Sequence, residues 1–317
     1  MGNDIKAVAL LSDGLDSALA LKMVKDQGVE VVAVHVLLPF ADSKGDHAAD
    51  LARQLNTALI EVKAAEDYIE MVRHPSHGRG RGMNPCIDCR IYMLRKAWQV
   101  AQQMGARFLV TGDVLRQRPM TQHRTELELE ERACGLEWLI VRPLSAKLLP
   151  PTIPEQEGWV DRAHLLGLQG RTRRPQLALA REFGIHGYRT PAGGCLLTHK
   201  EISFRLGELF GRQQVVTEED IELLKVGRHF FLPEAHIIVG RNEQENHRLL
   251  ALRQPQDRVF QAVGYPGPTT VLRGAKTKEA VEHAIHLTAR YSKLPSSAQS
   301  AEKLVVSIED SSFRGTD

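Results

Sequence analysis

The sequence predicts an α/β protein, a doubly wound parallel sheet followed by a second, smaller α+β module. Three observations carry this. Apolar runs of strand length alternate with helical patterns through the first part of the chain. The first strand turns at a glycine into a helix whose start is rich in hydroxyls and carries an aspartate. From about residue 230 the texture changes to short β-like runs separated by helices.

In chain order, residues 7–11 read as a buried strand and residues 15–27 as a helix closed by Gly28. The valine-rich run 29–36 is continuously apolar, as a central parallel strand should be. A helix at 48–55 and a strand at 58–62 follow. Residues 73–82 form a glycine-rich basic loop. A helix follows and stops at Gly105, and a strand at 107–111 ends in Thr111-Gly112-Asp113. Residues 121–133 look helical, 138–141 strand-like, and 143–154 proline-rich and irregular. Short helices are expected at 162–168 and 175–183, then a tight loop at Thr190-Pro191-Ala192-Gly193-Gly194-Cys195. Helices at 200–210 and 218–226 lead to β-like runs at 235–239, 258–263 and 269–272, with helices at 242–252 and 276–291. The expected domains are 1–198 and 199–317. In doubly wound sheets ligands bind at the carboxyl ends of strands, where Ser12, the residues after Val36, and Thr111-Gly112 all fall.

The 317 residues are 43% hydrophobic and 25% charged, an ordinary globular composition. Apolar runs fall short of a membrane span, so no membrane partner is expected. No basic segment followed by an apolar one opens the chain, which makes the cytoplasm the expected compartment. The 41 basic and 39 acidic residues nearly cancel, so any nucleic-acid binding must come from local clusters. Four cysteines are too few for a disulfide scaffold at this length; spaced cysteines here point to metal binding or catalysis.

Leu11-Ser12-Asp13-Gly14-Leu15-Asp16-Ser17 is the stretch that organises the first domain. A strand–glycine–helix turn offers backbone N–H groups and a helix dipole to an anion. Ser12 and Ser17 add hydroxyls, and Asp16 adds a carboxylate able to hold Mg²⁺ beside a phosphate. The order resembles the pyrophosphate-binding PP-loop of the N-type ATP pyrophosphatases, with a Rossmann-like, adenine nucleotide alpha hydrolase-like fold. The resemblance implies ATP as cofactor, held by Ser12, Gly14, Asp16 and Ser17, with Thr111 and Gly112 beside it. Asp13 stands where that family has its first glycine, and a carboxylate there repels phosphate unless it turns away or binds Mg²⁺.

Asn84-Pro85-Cys86-Ile87-Asp88-Cys89 reads as a helix start, with asparagine as N-cap and proline at the first helical position. Cys86 and Cys89 then share a face in the first turn, where the helix dipole favours thiolates. The spacing alone fits a redox pair, half a zinc site, or part of an iron–sulfur site. Cys195, after two glycines, is the natural third sulfur; Cys134 reads as a small packed residue, and His35 as a packed strand residue.

A PP-loop, a basic loop, Asn-Pro-Cys-x-x-Cys and a late Gly-Gly-Cys together resemble the tRNA thiolation enzymes over roughly the first two-thirds of the chain. The resemblance implies that Cys86, Cys89 and Cys195 ligate a [4Fe-4S] cluster, or that one of them carries a persulfide. It implies an ATP-dependent sulfur transferase that adenylates a base carbonyl of tRNA, with a sulfide or persulfide carrier as sulfur donor. Basic residues around the cysteines (His77, Arg79, Arg81, Arg90) and at Arg171, Arg173 and Arg174 suit RNA phosphates. Residues 237–246, with 267–272 and the helix ending Arg290-Tyr291-Ser292, are similar to the RNA-binding domain of the NFACT ribosome-quality-control proteins. A homodimer is left open. Two alternatives stand beside this reading: a PP-loop ligase or amidase acting on a small molecule with zinc or a thiol pair, and a non-catalytic RNA-binding protein with a degenerate PP-loop.

Overall fold

A computed structural model describes residues 5–41, 46–189 and 194–293, and the backbone of Val305–Ile308. These fall into two compact units, Met1–Lys200 and Glu201–Asp317.

In the first unit, β1 (Lys6–Leu10), β2 (Glu30–Leu37), β3 (Leu59–Lys63), β4 (Phe108–Thr111) and β5 (Ile140–Val141) form one sheet in the order β3-β2-β1-β4-β5. Every pairing in it is parallel. Helices are α1 (Leu15–Lys25), α2 (His47–Gln54), α3 (Glu66–Arg73), α4 (Cys86–Gln103), α5 (Arg124–Cys134), α6 (Ile153–Gln156) and α7 (Arg174–Glu182). The pleat divides the core between the two faces. Ala7, Ala9 and Leu11 pack with Leu15 and Leu19 of α1, Leu51 of α2 and Ala180 of α7. Val8 and Leu10 pack with Leu94, Ala97 and Ala101 of α4. The order reverses at β1, so the ends of β1 and β4 open a crevice between α1 and α4.

Three elements differ from expectation. Residues 66–73 form α3, whose Tyr68, Ile69 and Val72 are buried on one face. The expected helix at 162–168 reduces to a single 3-10 turn, Arg162–His164, capped by the Asp161 carboxylate accepting from Ala163 N. The irregular 143–154 stretch ends in α6, where Thr152 and Glu155 form a reciprocal capping box.

The second unit contains α8 (Lys200–Arg212, whose first residue lies in unit 1), α9 (Glu218–Leu224), α10 (Glu243–Leu252) and α11 (Lys278–Tyr291). Its antiparallel sheet runs β10 (Val305–Ile308), β8 (Arg258–Ala262), β9 (Thr270–Gly274), β7 (Ala235–Val239), β6 (Arg228–Leu232). Alternation along β7 sends Ile237 and Val239 to the α11 face and Ile238 to the face covered by Leu223 and Leu249. β6 starts earlier than the texture change suggested. Its alternation is masked because all five residues are only half-buried.

Candidate active site

The phosphate loop closes on itself through its serines. Ser17 Oγ accepts from Ser12 N at 3.0 Å and donates to Gly14 O at 2.9 Å, and the two serine hydroxyls lie 3.1 Å apart. Gly14 takes the N-cap position of α1 with φ −97°, so its backbone does not require glycine; its value is close approach to a ligand. Asp13 O accepts from Arg189 N at 2.7 Å, pinning the turn to the segment that returns past β1. Gly112 packs closely on this turn: a Cβ there would lie 2.4 Å from Ser17 N and 2.6 Å from Asp16 O. The exit of β4 therefore rests directly on the first turn of α1. Thr111 is placed differently from expectation. Its hydroxyl is buried and donates to Asp113 Oδ2 at 2.7 Å, which commits it to the interior rather than to a nucleotide.

Asp16 is the most heavily supported residue of the loop. Gln117 Nε2 donates to its Oδ2 at 2.6 Å, Gln176 Nε2 supports Gln117 at 3.0 Å, and Arg173 Nη2 lies 3.8 Å from its Oδ1. Burial raises the Asp16 carboxyl above its ordinary range, opposed by the Gln117 bond and by Arg173 and Arg118. Asp16 Oδ1 has no hydrogen-bond partner among the described residues. An oxygen in that condition suits a hard cation such as Mg²⁺.

The cysteines sit at the opposite wall of the crevice. α4 begins at Cys86 with Pro85 as N-cap, one residue later than the sequence suggests. Asn84 does not cap the helix because its side chain folds back: Oδ1 accepts from Gly82 N at 3.1 Å, and Nδ2 donates to Cys86 Sγ at 3.1 Å. Asp88 likewise turns out of the helix, accepting from Ser76 N, His77 N and His77 Nδ1 at 2.8–3.2 Å, and so holds the basic loop. Tyr68 Oη donates to Cys89 Sγ at 3.3 Å.

The expectation of a low-pKa pair fails at Cys89. Burial pushes its thiol up to about 12, and the Cys195 and Cys86 thiols push the same way. The partial charge of a helix end does not offset loss of water around an anion. Cys195 is also raised, by burial first and by Cys86 among its neighbours. The segment bearing Cys195 reaches this wall through Leu196 N to Phe40 O at 2.9 Å and Met83 N to Leu197 O at 3.0 Å. The three thiols thus act on one another, although no group of three His, Cys, Asp or Glu among the described residues is spaced to hold a single metal ion. Of the expected tight loop, Thr190, Pro191, Ala192 and Gly193 lie outside the described residues. Cys134 donates weakly to Ile91 O at 3.6 Å and packs against the α4 core, and His35 Nδ1 meets Leu11 O at 2.9 Å, both as packed residues.

Gly80 tests this wall. Its N donates to Asn84 O at 2.9 Å, and a Cβ there would lie 2.3 Å from Asn84 Nδ2. Gly80→Ala is therefore expected to dislodge Asn84 from Cys86. The readout is a several-fold change in the alkylation rate of Cys86, measured with the other cysteines replaced by serine. An unchanged rate would show that Asn84 has no hold on the thiol.

Sequence reasoning misplaced some basic residues and missed a buried ion cluster. Arg90 turns inward, its side chain 15% exposed, and pairs with Asp113 and, at 3.8 Å, with Glu130, so it cannot serve RNA phosphates. Arg142 faces the same Asp113 at 3.6 Å and pairs with Glu131. The two guanidiniums hold Asp113 down at about 2 against its burial, whereas burial lifts Glu130 to about 8. Arg173 points at Asp16 rather than outward. Arg79 donates to Val72 O and Arg73 O, closing the end of α3. Arg81, Arg171 and Arg174 are exposed. Gln117, Gln122 and Asp113, all within a dozen residues of the β4 end, were the available signal.

Residues 2–147 match the family model described as thiamine biosynthesis protein (ThiI). This segment is similar to the ThiI family. Residues 227–314 match the model described as NFACT protein RNA binding domain. The chain is similar to a probable tRNA sulfurtransferase of Thermococcus kodakarensis, 28% identical over 37% of this chain and 32% of the relative. It is likewise similar to a probable tRNA sulfurtransferase of Methanothermobacter thermautotrophicus, 33% identical over 37% of this chain and 31% of the relative. The chain thus spans about a third of the length of these curated relatives. A crystal structure of a 4-thiouridine synthetase–RNA complex with bound ATP is similar at 20% identity and TM-score 0.41, covering 71% of this chain and 53% of that one, a likeness too loose to bear on function. The ThiI segment carries the PP-loop and both helix cysteines, while Cys195 lies beyond it. No helix among the described residues is long and apolar enough to cross a membrane.

Proposed function

We propose that the chain is an ATP-dependent sulfur transferase acting on tRNA in the cytoplasm. The base carbonyl oxygen attacks the α-phosphorus of ATP, the α–β bridging bond breaks, and pyrophosphate leaves. A sulfur nucleophile then attacks the ring carbon that bears the adenylated oxygen, the C–O bond breaks, and AMP departs with the oxygen. The chain's part is to hold the triphosphate at Ser12, Gly14 and Ser17, to offer Asp16 Oδ1 to Mg²⁺, and to present sulfur at the cysteine wall. Fixed donors at the leaving phosphates stabilise charge that develops only on reaction.

One observation carries this reading: a single loop after β4 touches both halves of the site. Gln117 bonds Asp16 of the phosphate loop. Arg118 acts electrostatically on both Asp16 and Cys195. Met120 Sδ lies 3.9 Å from Asn84 Nδ2, the group that donates to Cys86. Activation and sulfur delivery on one substrate need such adjacency. Cys86, Cys89 and Cys195 are the soft donors that would hold a [4Fe-4S] cluster, which would supply a binding place for sulfide. The sulfur donor is sulfide, or a persulfide carrier whose S–S bond a second thiol cleaves after the outer sulfur has bonded to the base, leaving a disulfide; the C-terminal module supplies RNA affinity.

The test is mass spectrometry of tRNA nucleosides from cells with and without the gene, complemented by wild type or by Cys86→Ala, Cys89→Ala or Cys195→Ala. The expected result is one thionucleoside that disappears on deletion and returns only with wild type. An unchanged thionucleoside profile would overturn the proposal. Anaerobic purification addresses the metal: a brown protein whose colour is lost in all three variants supports the cluster, and stoichiometric zinc in a colourless protein rejects it.

A further inference from the structure

The basic run 170–174 was expected to face RNA, yet one of its arginines is drawn into the phosphate site. Gly170 N donates to Leu115 O at 2.7 Å, and the left-handed Gly170, φ +84°, turns the chain there into α7. This ties the start of α7 to the loop after β4. Arg173 consequently lies 3.8 Å from Asp16 Oδ1, with both side chains less than a fifth exposed.

The polar atoms gathered here are incompletely satisfied. Among the described residues, Asp16 Oδ1, Arg173 Nε and Gln176 Oε1 are buried without hydrogen-bond partners, although Gln176 is only 1% exposed. Buried donors and acceptors are nearly always paired, so three orphans in one place call for a partner. Asp16 and Arg173 are close enough to attract and too far apart to hydrogen-bond. An acceptor wanting a cation stands beside a donor wanting an anion. A divalent cation carried by a polyphosphate offers both at once.

We propose that Arg173 is a phosphate-binding residue that exchanges partners when Mg²⁺-polyphosphate enters. Without ligand, Asp16 is the counter-ion of Arg173. With ligand, Asp16 Oδ1 turns to the cation and Arg173 to a phosphate oxygen, while Gln117, braced by Gln176, holds the other oxygen of Asp16 in place. Arg173 is then a nucleotide residue, not an RNA residue. This rests on the ATP reading above.

Calorimetric titration of the full-length protein with Mg²⁺-ATP, Mg²⁺-pyrophosphate and adenosine tests it. Arg173→Met is expected to weaken both polyphosphates about 10–100-fold, the loss of a hydrogen bond to a charged group. Adenosine binding should stay unchanged, and Arg173→Lys should recover part of the loss. Arg181→Ala, on the exposed far end of α7, serves as a control that leaves all three ligands alone. Equal weakening of adenosine and ATP would show a general structural defect and overturn the proposal. So would ATP affinity within twofold of wild type, with or without a fall in tRNA affinity. A wild-type protein that binds no Mg²⁺-ATP would instead reject the ATP reading itself.

Discussion

Arg90→Met is expected to destabilise the N-terminal unit by about 3–5 kcal/mol, the cost of removing one partner from a buried ion pair. Arg90 lies one turn into α4, beside Cys89, and its guanidinium pairs with Asp113 just past the end of β4. Asp113 also accepts from Thr111 Oγ1 and, at 3.1 Å, from Gln122 Nε2, with Arg142 at 3.6 Å. With Glu130 protonated, two arginines face the two carboxylates of Asp113 and Glu131, and the cluster balances. Methionine fills the space but leaves Asp113 with only Arg142 for charge. Urea denaturation followed by circular dichroism measures the loss. A loss below about 1 kcal/mol would show that Arg142 alone suffices. A double Arg90→Met/Asp113→Asn variant is expected to recover part of the stability, because an amide needs no counter-ion.

The same cluster sets a pH dependence whose two parts have opposite signs. Glu130 keeps its proton in the folded state up to about 8, against 4.5 unfolded. Over that window the folded state binds the extra proton, so this contribution is full below 4.5 and is lost as pH rises toward 8. Asp113, held at about 2 against 3.8, contributes in the other sense: present above 3.8 and lost as pH falls toward 2. Glu130→Gln should therefore flatten the decline in melting temperature between about pH 5 and 8 relative to wild type, and leave the acid limb alone. Parallel curves for the two proteins would refute the assignment.

Gly112→Ala is expected to break the nucleotide site from beneath. The added methyl would lie 2.4–2.6 Å from Ser17 N and from the carbonyl carbon and oxygen of Asp16. These are backbone atoms, so no rotamer change relieves the clash, and the start of α1 must move. Overpacking of this kind costs about 1–3 kcal/mol. The larger effect falls on ATP, because displacement by a fraction of an ångström misaligns the loop amides; affinity by calorimetry should fall at least tenfold. Gly14→Ala is the informative contrast. Its added carbon meets only Ser12 Oγ at 3.3 Å and its φ is ordinary. It should retain wild-type stability and lose affinity only through crowding of the phosphate. If Gly112→Ala bound ATP as wild type does, the packing of β4 on α1 would not govern the loop.

How much of this was legible in the sequence depended on the range of the forces involved. Alternating apolar runs and glycine stops are local, and they placed β1, α1, β2, β4 and α4 within a residue or two. The strand–glycine–helix turn was legible for the same reason: strand, glycine, hydroxyl and carboxylate lie within seven residues. So was the grouping of Cys86 with Cys89, which one helical turn enforces. Side-chain direction was not legible, because it depends on partners far along the chain. Arg90 and Arg173 have the composition of an RNA surface, and only Asp113 and Asp16, delivered by other elements, turn them inward. Thr111 reads as a ligand residue until Asp113 takes its hydroxyl. Cys89 reads as a thiolate until burial removes its water, which outweighs the Tyr68 hydrogen bond that favours the charged sulfur. The sequence by itself determined the sheet and the chemistry on offer. The tertiary structure alone decided which of those groups reach the crevice and in what charge state, since burial and long-range pairing act only once distant segments meet.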